Sequence, residues 1–517
     1  MEWFPAIDKK YYVSGGWVYQ IRKYKNGNYF CKYLCGVAIL ESPFFFLGHW
    51  IAKHTGYEAD GFSPPYQYAL GFGNVLIFLI SLFLLRRILL MYFTDLTVTI
   101  TLLLLTLATN TIQYVCYDTA MSHCPIFPLY VIVLYSTIKW HQKPSIWWAS
   151  LTGYVIGLAT ISRPTEAIMF LIPLLWNTQT RDLAKEKWKL VKKYQNHIYY
   201  IVFFAFIGIL PQLIYWQYVT GFFIFDVGSS WDFLTPHLRV LFGWEKGWFI
   251  YTPITLFFII GIFFMKKYPF KKAVIYFCLI NIYIIISWRN WRYGGSYSTR
   301  ALVQSYPVFS LAFASLIEQI NLKKWRFLFY FLGIYLVYVN LFQIKQYNKG
   351  IILCDGMNGP YYRSIYLNNH PTPIDMSLLD TVERISNENK FHKETLIQVD
   401  STITIKTPQD SLLFTKVIHL SERAKGEQSW LKIESEVQVK NGFYSSYLNC
   451  NLQAGNSVKH NKIRLFNPLS PEGYKNPYAF YVSIPDSFKN SQLKLYITSK
   501  EQFKGTVEKI KIYLLQR

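Results

Sequence analysis

Residues Tyr66 to Leu85 read YQYALGFGNVLIFLISLFLL, twenty positions without a charge, and the next two are Arg86 and Arg87. A helix of about 20 apolar residues spans the hydrocarbon core of a bilayer. Working outward, further apolar stretches follow at Leu96 to Ile112, Thr119 to Ile138, Ile146 to Ile161, Ala167 to Trp176 and Ile198 to Tyr218. Four more lie at Phe249 to Met265, Ala273 to Ser287, Ala301 to Ile320 and Phe327 to Gln343, giving ten expected crossings. The Ala167 stretch is short and joined to its predecessor by Ser162-Arg163-Pro164-Thr165, so that pair reads as a tight hairpin or a re-entrant element.

Composition supports this reading. The chain has 517 residues, 52% apolar and 19% aromatic, more than one soluble core would use. Mean hydropathy is only modestly positive, so the apolar residues are concentrated, here between Tyr33 and Gln343. The net charge of +23 does not point to nucleic acid, because the Lys and Arg sit between hydrophobic runs and no zinc spacing or basic RNA-binding motif accompanies them. The seven cysteines include no CxxC pair and read as free or core residues. Residues Met1 to Tyr29 hold only broken apolar runs among Lys9, Lys10, Arg22, Lys23 and Lys25, which is not a signal-peptide pattern.

Basic residues set an expected orientation. Arg86-Arg87, Lys139 with Lys143, the Arg181 to Lys193 loop, Lys266 to Lys272 and Lys323 to Arg326 fall in alternate loops, which the charge rule puts in the cytoplasm. The opposite loops, and everything after Lys345, are then expected outside an inner (plasma) membrane. Val37 to Ile51 is apolar but contains Glu41, Ser42 and Pro43, and reads as an interfacial helix on the outer surface or as a further crossing.

Beyond the membrane part, residues alternate with period two at Ile397 to Ile405, Leu431 to Val439, Phe480 to Ile484, Leu493 to Ile497 and Ile510 to Leu514. Short strands split by Pro, Gly, Asn and Ser clusters predict an antiparallel, jelly-roll-like sandwich. The expected fold class is therefore a mainly α polytopic membrane protein with a C-terminal all-β sandwich. Its parts are residues 1–65 (outer first-loop region), 66–345 (transmembrane helices), 346–389 (a linker packed on the membrane part, with a short helix at Ile374 to Ile385) and 390–517 (sandwich).

The unusual polar residues cluster in loops on one side. Asp118 opens the third span in the stretch Tyr117 to His123; a carboxylate there can take a proton from a hydroxyl or hold a divalent cation, or simply favour the helix dipole. His123 follows within two turns, and such a histidine is more often structural than a ligand. Arg163, between two apolar helices, must snorkel, bind carbonyls or find an anion, and a phosphate matches its fork. The loop Trp288 to Arg300 combines Arg289, Arg292 and Arg300 with four aromatic rings and Gly294-Gly295. It suits a lipid phosphate and a sugar, or an aromatic interfacial belt. The loop Gly56 to Pro65 offers Glu58 and Asp60, most simply as turn chemistry. In the sandwich, Tyr444, Tyr447, Tyr474 and Tyr481 are candidate sugar-stacking rings, though such tyrosines more often pack.

Taken in order, these residues make the chain resemble a bacterial member of the GT-C glycosyltransferase superfamily, which includes protein mannosyltransferases and lipid A aminoarabinose transferases. The resemblance spans roughly residues 1 to 345. It rests on the acidic first loop, Asp118 with Ser122-His123, Ser162-Arg163-Pro164-Thr165 followed by Pro173, the approach to a span at Gly247 to Pro253, and Gly294-Gly295-Ser296 ending in Arg300. It implies a GT-C-like helical bundle that transfers a sugar from a polyprenyl-phosphate donor to a lipid or glycan acceptor at the extracytoplasmic face, often with a divalent metal ion (Mg or Mn). In that reading Asp118, His123 and Asp60 are catalytic, Asp118 also holds the metal, and Arg163, Arg292 and Arg300 bind phosphate.

Members of the family normally open with a transmembrane helix and an acidic first-loop base. This chain starts at Met1-Glu2-Trp3-Phe4, which resembles the interior of that loop, so an in-frame upstream codon is expected to encode one more hydrophobic segment. The acids available as substitutes are Asp8, Glu41, Glu58 and Asp60. A lipid-linked sugar flippase would show two related halves, and no such symmetry is visible. A catalytically degenerate relative is the other alternative. An oligosaccharyltransferase is disfavoured, because no Trp-Trp-Asp motif occurs.

Overall fold

The computed structural model describes residues 4–11, 21–405, 411–419, 428–488 and 490–517. They divide into two compact units, Met1–Ile344 and Lys345–Arg517.

The first unit is helical. After α1 (Phe4–Tyr11) and the hairpin β1 (Ile21–Lys23) with β2 (Tyr29–Cys31) come α2 (Gly36–Thr55), α3 (Pro64–Leu89), α4 (Asp95–Leu107), α5 (His123–Gln142) and α6 (Ile146–Ser162). They are followed by α7 (Leu171–Leu175), α8 (Arg181–Lys193), α9 (Asn196–Thr220), α10 (Arg239–Phe242), α11 (Trp248–Tyr251) and α12 (Thr255–Gly261). The unit closes with α13 (Lys271–Ile286), α14 (Tyr306–Asn321) and α15 (Arg326–Asn348), whose end crosses into the second unit.

Local sequence explains these boundaries. α3 starts on Pro64-Pro65, where the missing N–H costs nothing. α2 and α9 stop at Gly56 and Gly221, both at positive φ (76° and 82°). Among the described residues, four helices are long and apolar enough to cross a membrane by length and composition: Pro64–Leu89, Asn196–Thr220, Arg326–Asn348 and the combined Arg300–Asn321. Phe72, Phe83, Phe203, Phe331 and Ile334 are exposed on three of them, as lipid-facing residues would be. The fourth is almost wholly buried, packed against α4, α5, α12 and α13, and α14 with α5 forms the centre of the core.

Several expected spans are not continuous α-helices. The stretch Phe249 to Met265 is divided among α11, α12 and a 3-10 turn at Ile262–Phe264, because Pro253 cannot continue the hydrogen-bond ladder. The stretch Leu96 to Ile112 ends as an α-helix at Leu107, and a π-helical turn, Gln113–Tyr117, follows before α5. The hairpin expected after Ser162 is a 3-10 segment, Pro164–Phe170, running into α7.

The second unit is the all-β sandwich, preceded by α16 (Gly359–Ser364) and α17 (Pro373–Ser377). Its strands are β3 (His392–Val399), β4 (Ile403–Ile405), β5 (Ser411–His419), β6 (Ser429–Asn441), β7 (Ser446–Ala454), β8 (Ser457–Arg464), β9 (Lys475–Ile484), β10 (Asn490–Ser499) and β11 (Lys504–Gln516). One sheet has the order β5-β10-β7-β8 and the other β3-β11-β6-β9, with β4 also on β11; all pairings are antiparallel. The alternating apolar residues turn inward from both sheets, among them Leu431, Ile433, Phe480, Val482, Leu493, Leu495 and Ile512. The segment before the sandwich is tied to it: Asp380 accepts from Arg464, Glu383 from Ser483 and Asn461, and Glu388 from Lys432 and Tyr481. The helix expected over Ile374 to Ile385 is only α17, held by a capping box between Thr372 and Asp375.

Candidate active site

Arg163 ends α6. The residue before a proline is pushed out of the helical region, and Arg163 is extended (φ −151°, ψ 124°) in front of Pro164. Its side chain turns into the bundle, where Nη1 lies 3.2 Å from His123 Nδ1 and Nε 3.8 Å from Glu166 Oε1. His123, the first residue of α5, is buried. Its Nδ1 is 2.8 Å from Gln304 Oε1, and Gln304 Nε2 donates to Glu166 Oε1 at 3.0 Å.

A carboxylate only accepts, so Gln304 must present its NH2 to Glu166 and its oxygen to His123. His123 Nδ1 thus faces an acceptor, Gln304 Oε1, and a donor, Arg163 Nη1, at once. Glu166 also accepts from Tyr130 Oη and from Thr165 Oγ1 at 3.2 Å, so this buried carboxylate is compensated on every side.

Arg300 starts the 3-10 segment Arg300–Ser305 that leads into α14. Its Nη1 lies 3.1 Å from Gly295 O and 3.2 Å from Met121 Sδ. Met121 belongs to the short turn from Asp118 to Ser122, its N–H bonded to Asp118 O at 3.1 Å. Both Arg163 and Arg300 lie within electrostatic reach of His123 and of Tyr293. Two guanidinium groups therefore converge on the start of α5, beside the half-buried Asp118, whose Oδ2 accepts from Gln113 Nε2 at 3.0 Å.

Glu41 of α2 reaches the same turn. Asn74 Nδ2 donates to Glu41 Oε1 at 2.8 Å and to Thr119 O at 3.0 Å. α2 sits tightly against α6 here: a Cβ on Gly36 would stand 2.4 Å from the backbone N of Ser162, next to Arg163.

Other expected site residues have different surroundings. Asp60 Oδ1 accepts the N–H groups of Phe62 (2.9 Å) and Ser63 (3.0 Å), capping the turn before α3, and Lys10 Nζ lies 3.9 Å from its other oxygen. Glu58 pairs with Lys10, and the Asp8 side chain lies outside the described residues. Arg292 Nε bonds Glu245 Oε1 at 3.1 Å while its guanidinium lies 4.8 Å from the Trp291 ring centre. Arg289 forks onto Asp232, whose carboxyl its hydrogen bond holds below the usual range. Buried Lys246 binds the carbonyls of Arg292 (2.6 Å) and Gly294, fixing the loop from below. In the sandwich, Tyr481 is buried against Glu388, whereas Tyr444 and Tyr474 are exposed.

Sequence reasoning did not single out Glu166 and Gln304. Glu166 had a signal: it is an ionisable residue three positions after Arg163 in an apolar segment. For a metal, Asp118 is the one expected ligand, and among the described residues no three His, Cys, Asp or Glu come together. An ion held there would draw its remaining ligands from water and phosphate oxygens.

No protein-family model matches the chain, and no curated protein matches it. Among solved structures it is similar to the apo crystal structure of ArnT from Cupriavidus metallidurans, at 13% identity and a TM-score of 0.44 over 70% of this chain. The chain spans 63% of that structure's length.

Proposed function

We propose that this protein is a membrane glycosyltransferase that moves a sugar from a polyprenyl-phosphate donor to a lipid or glycan acceptor at the extracytoplasmic face. The observation that carries the proposal is the meeting of Arg163 and Arg300 beside the Asp118 to His123 turn. In the reaction the sugar C1–O bond to the phosphate breaks, its electron pair stays on the phosphate oxygen, and the acceptor hydroxyl bonds to C1 while losing its proton. The two arginines meet the charge that builds on the departing phosphate, in a partly dry site where such charges count most. Asp118 takes the acceptor proton, with Glu41 the second carboxylate at the same turn. His123 acts as a positioning residue, its ring locked by Gln304 beside the Arg163 guanidinium. A divalent ion at Asp118 would supply further neutralisation of phosphate charge.

The test is an assay of the purified full chain with a panel of radiolabelled polyprenyl-phosphate sugars, comparing wild type with Asp118→Asn and Arg300→Ala. Turnover by the wild type that both variants lose supports the transferase. Lipid translocation without sugar transfer, unchanged in both variants, would establish the flippase instead.

A further inference from the structure

α8 is anchored in an unusual way. Lys187 is buried, and its Nζ donates to the carbonyls of Pro173 (2.7 Å) and Leu174 (2.5 Å) in α7. With that face pinned, a different stripe of the helix looks outward. Arg181, Lys185, Trp188, Lys189 and Lys192 recur at helical spacing and, with Lys272 from the start of α13, line an open groove of about 600 Å³. The two acidic residues of α8, Asp182 and Glu186, lie off this stripe and do not line it.

The level of the groove is set by its neighbours. Lys272 directly precedes the apolar run of α13, α9 begins its apolar run a few residues after Lys193, and Lys187 grips the last turn of α7. Three apolar helices therefore start or stop where the groove lies, as they would at a membrane–water boundary. Trp188, 49% exposed among the cations, has the amphipathic ring that favours that boundary.

We propose that this groove binds the headgroup of an acidic phospholipid, its phosphate charge met by Lys185, Lys189, Lys192 and Lys272, with the Trp188 ring beside the glycerol region. A soluble polyanion would not need a site at the ends of apolar helices. An acidic lipid presents its phosphate at that height and in high local concentration.

The full chain in detergent is supplied with phosphatidylglycerol or phosphatidylcholine, and retained lipid is counted by native mass spectrometry. The wild type is expected to hold phosphatidylglycerol in preference, less at high salt. The variant K185Q/K189Q/K192Q/K272Q should hold it about tenfold less well or worse, and the control K266Q/K267Q, in the loop before α13, should match the wild type. K272E, which lies outside α8, should show the same loss, separating lost charge from a disturbed α8. Millimolar inorganic phosphate should leave the bound lipid in place. Equal retention by the quadruple variant, equal retention of phosphatidylcholine, or displacement of the lipid by inorganic phosphate would each overturn the proposal.

Discussion

Arg163 Nη1 lies 3.2 Å from His123 Nδ1, although the two residues are 40 positions apart in the chain. The contact joins the broken end of α6 to the first turn of α5. Gln304 and Glu166 are hydrogen-bonded to that junction, and Arg300 reaches Met121 in the turn that runs from Asp118 to it.

Glu166 is expected to be the keystone of this network. In Glu166→Gln an amide faces the donors Tyr130 Oη and Gln304 Nε2, and one of them must lose its acceptor. A buried donor left unsatisfied costs about 1–3 kcal/mol, so the melting temperature in detergent should fall and transfer should fall with it. Unchanged melting would show that the carboxylate is not compensated as described.

Gly36→Ala tests the seat of Arg163 from the other side. The added Cβ would meet Ser162 N at 2.4 Å, and because that atom is backbone it must be displaced. We expect overpacking to cost roughly 1–3 kcal/mol, with a larger fall in donor turnover than Gly56→Ala gives. Equal activity in Gly36→Ala and wild type would mean that α2 does not set the position of Arg163.

Lys187 gives α8 a pH dependence. Burial pushes its ammonium down to about 7, against about 10.4 for a free lysine. Between those values the unfolded chain holds a proton that the folded chain lacks, so docking of α8 strengthens as pH rises through that window. Hydrogen exchange over α8, corrected for intrinsic rate, should slow from pH 7 to pH 9 in the wild type and show no such trend in Lys187→Met. A flat wild-type profile would contradict the reading.

The sandwich should weaken in acid through Glu383. Burial raises the pKa of this carboxyl, but hydrogen bonds from Lys459 and Ser483 outweigh it and leave the net value lowered. The stability it confers is present above the ordinary glutamate value of about 4.3 and is lost as pH falls through the lower folded value. Protease resistance of the sandwich in the full chain should therefore persist below that ordinary value. Glu383→Gln should cost about 1–3 kcal/mol at pH 7 and lose this part of the acid dependence; a variant as resistant as wild type at both pH values would refute it.

Apolar runs and period-two alternation were enough to place the long helices and most inward-facing strands, because lipid and core each demand one kind of surface. What they could not show was where a helix breaks: Pro253 and the turn after Leu107 divide runs that hydropathy alone joins. Strand β8, reading SVKHNKIR, carries too many polar residues to alternate visibly, since it lies at the edge of its sheet. The Gly153 and Gly157 pair was legible but unread; a Cβ on either would strike the α9 backbone at Ile201 O (2.1 Å) or Ala205 O (2.2 Å). At the site, Arg163 and Arg300 stood out because charge in an apolar setting is costly. Gln304 did not, because its meaning comes from His123, 181 residues away.

Binding of polyprenyl phosphate, the leaving group of the proposed reaction, is the most direct test of the site. Removing a charged hydrogen-bond donor costs about tenfold or more in affinity. Measured without divalent metal, Arg163→Ala and Arg300→Ala should each bind the lipid at least that much more weakly than wild type, while Asp118→Asn should bind it normally and fail only in transfer. Wild-type affinity in either arginine variant would contradict the shared phosphate site on which the proposed chemistry depends.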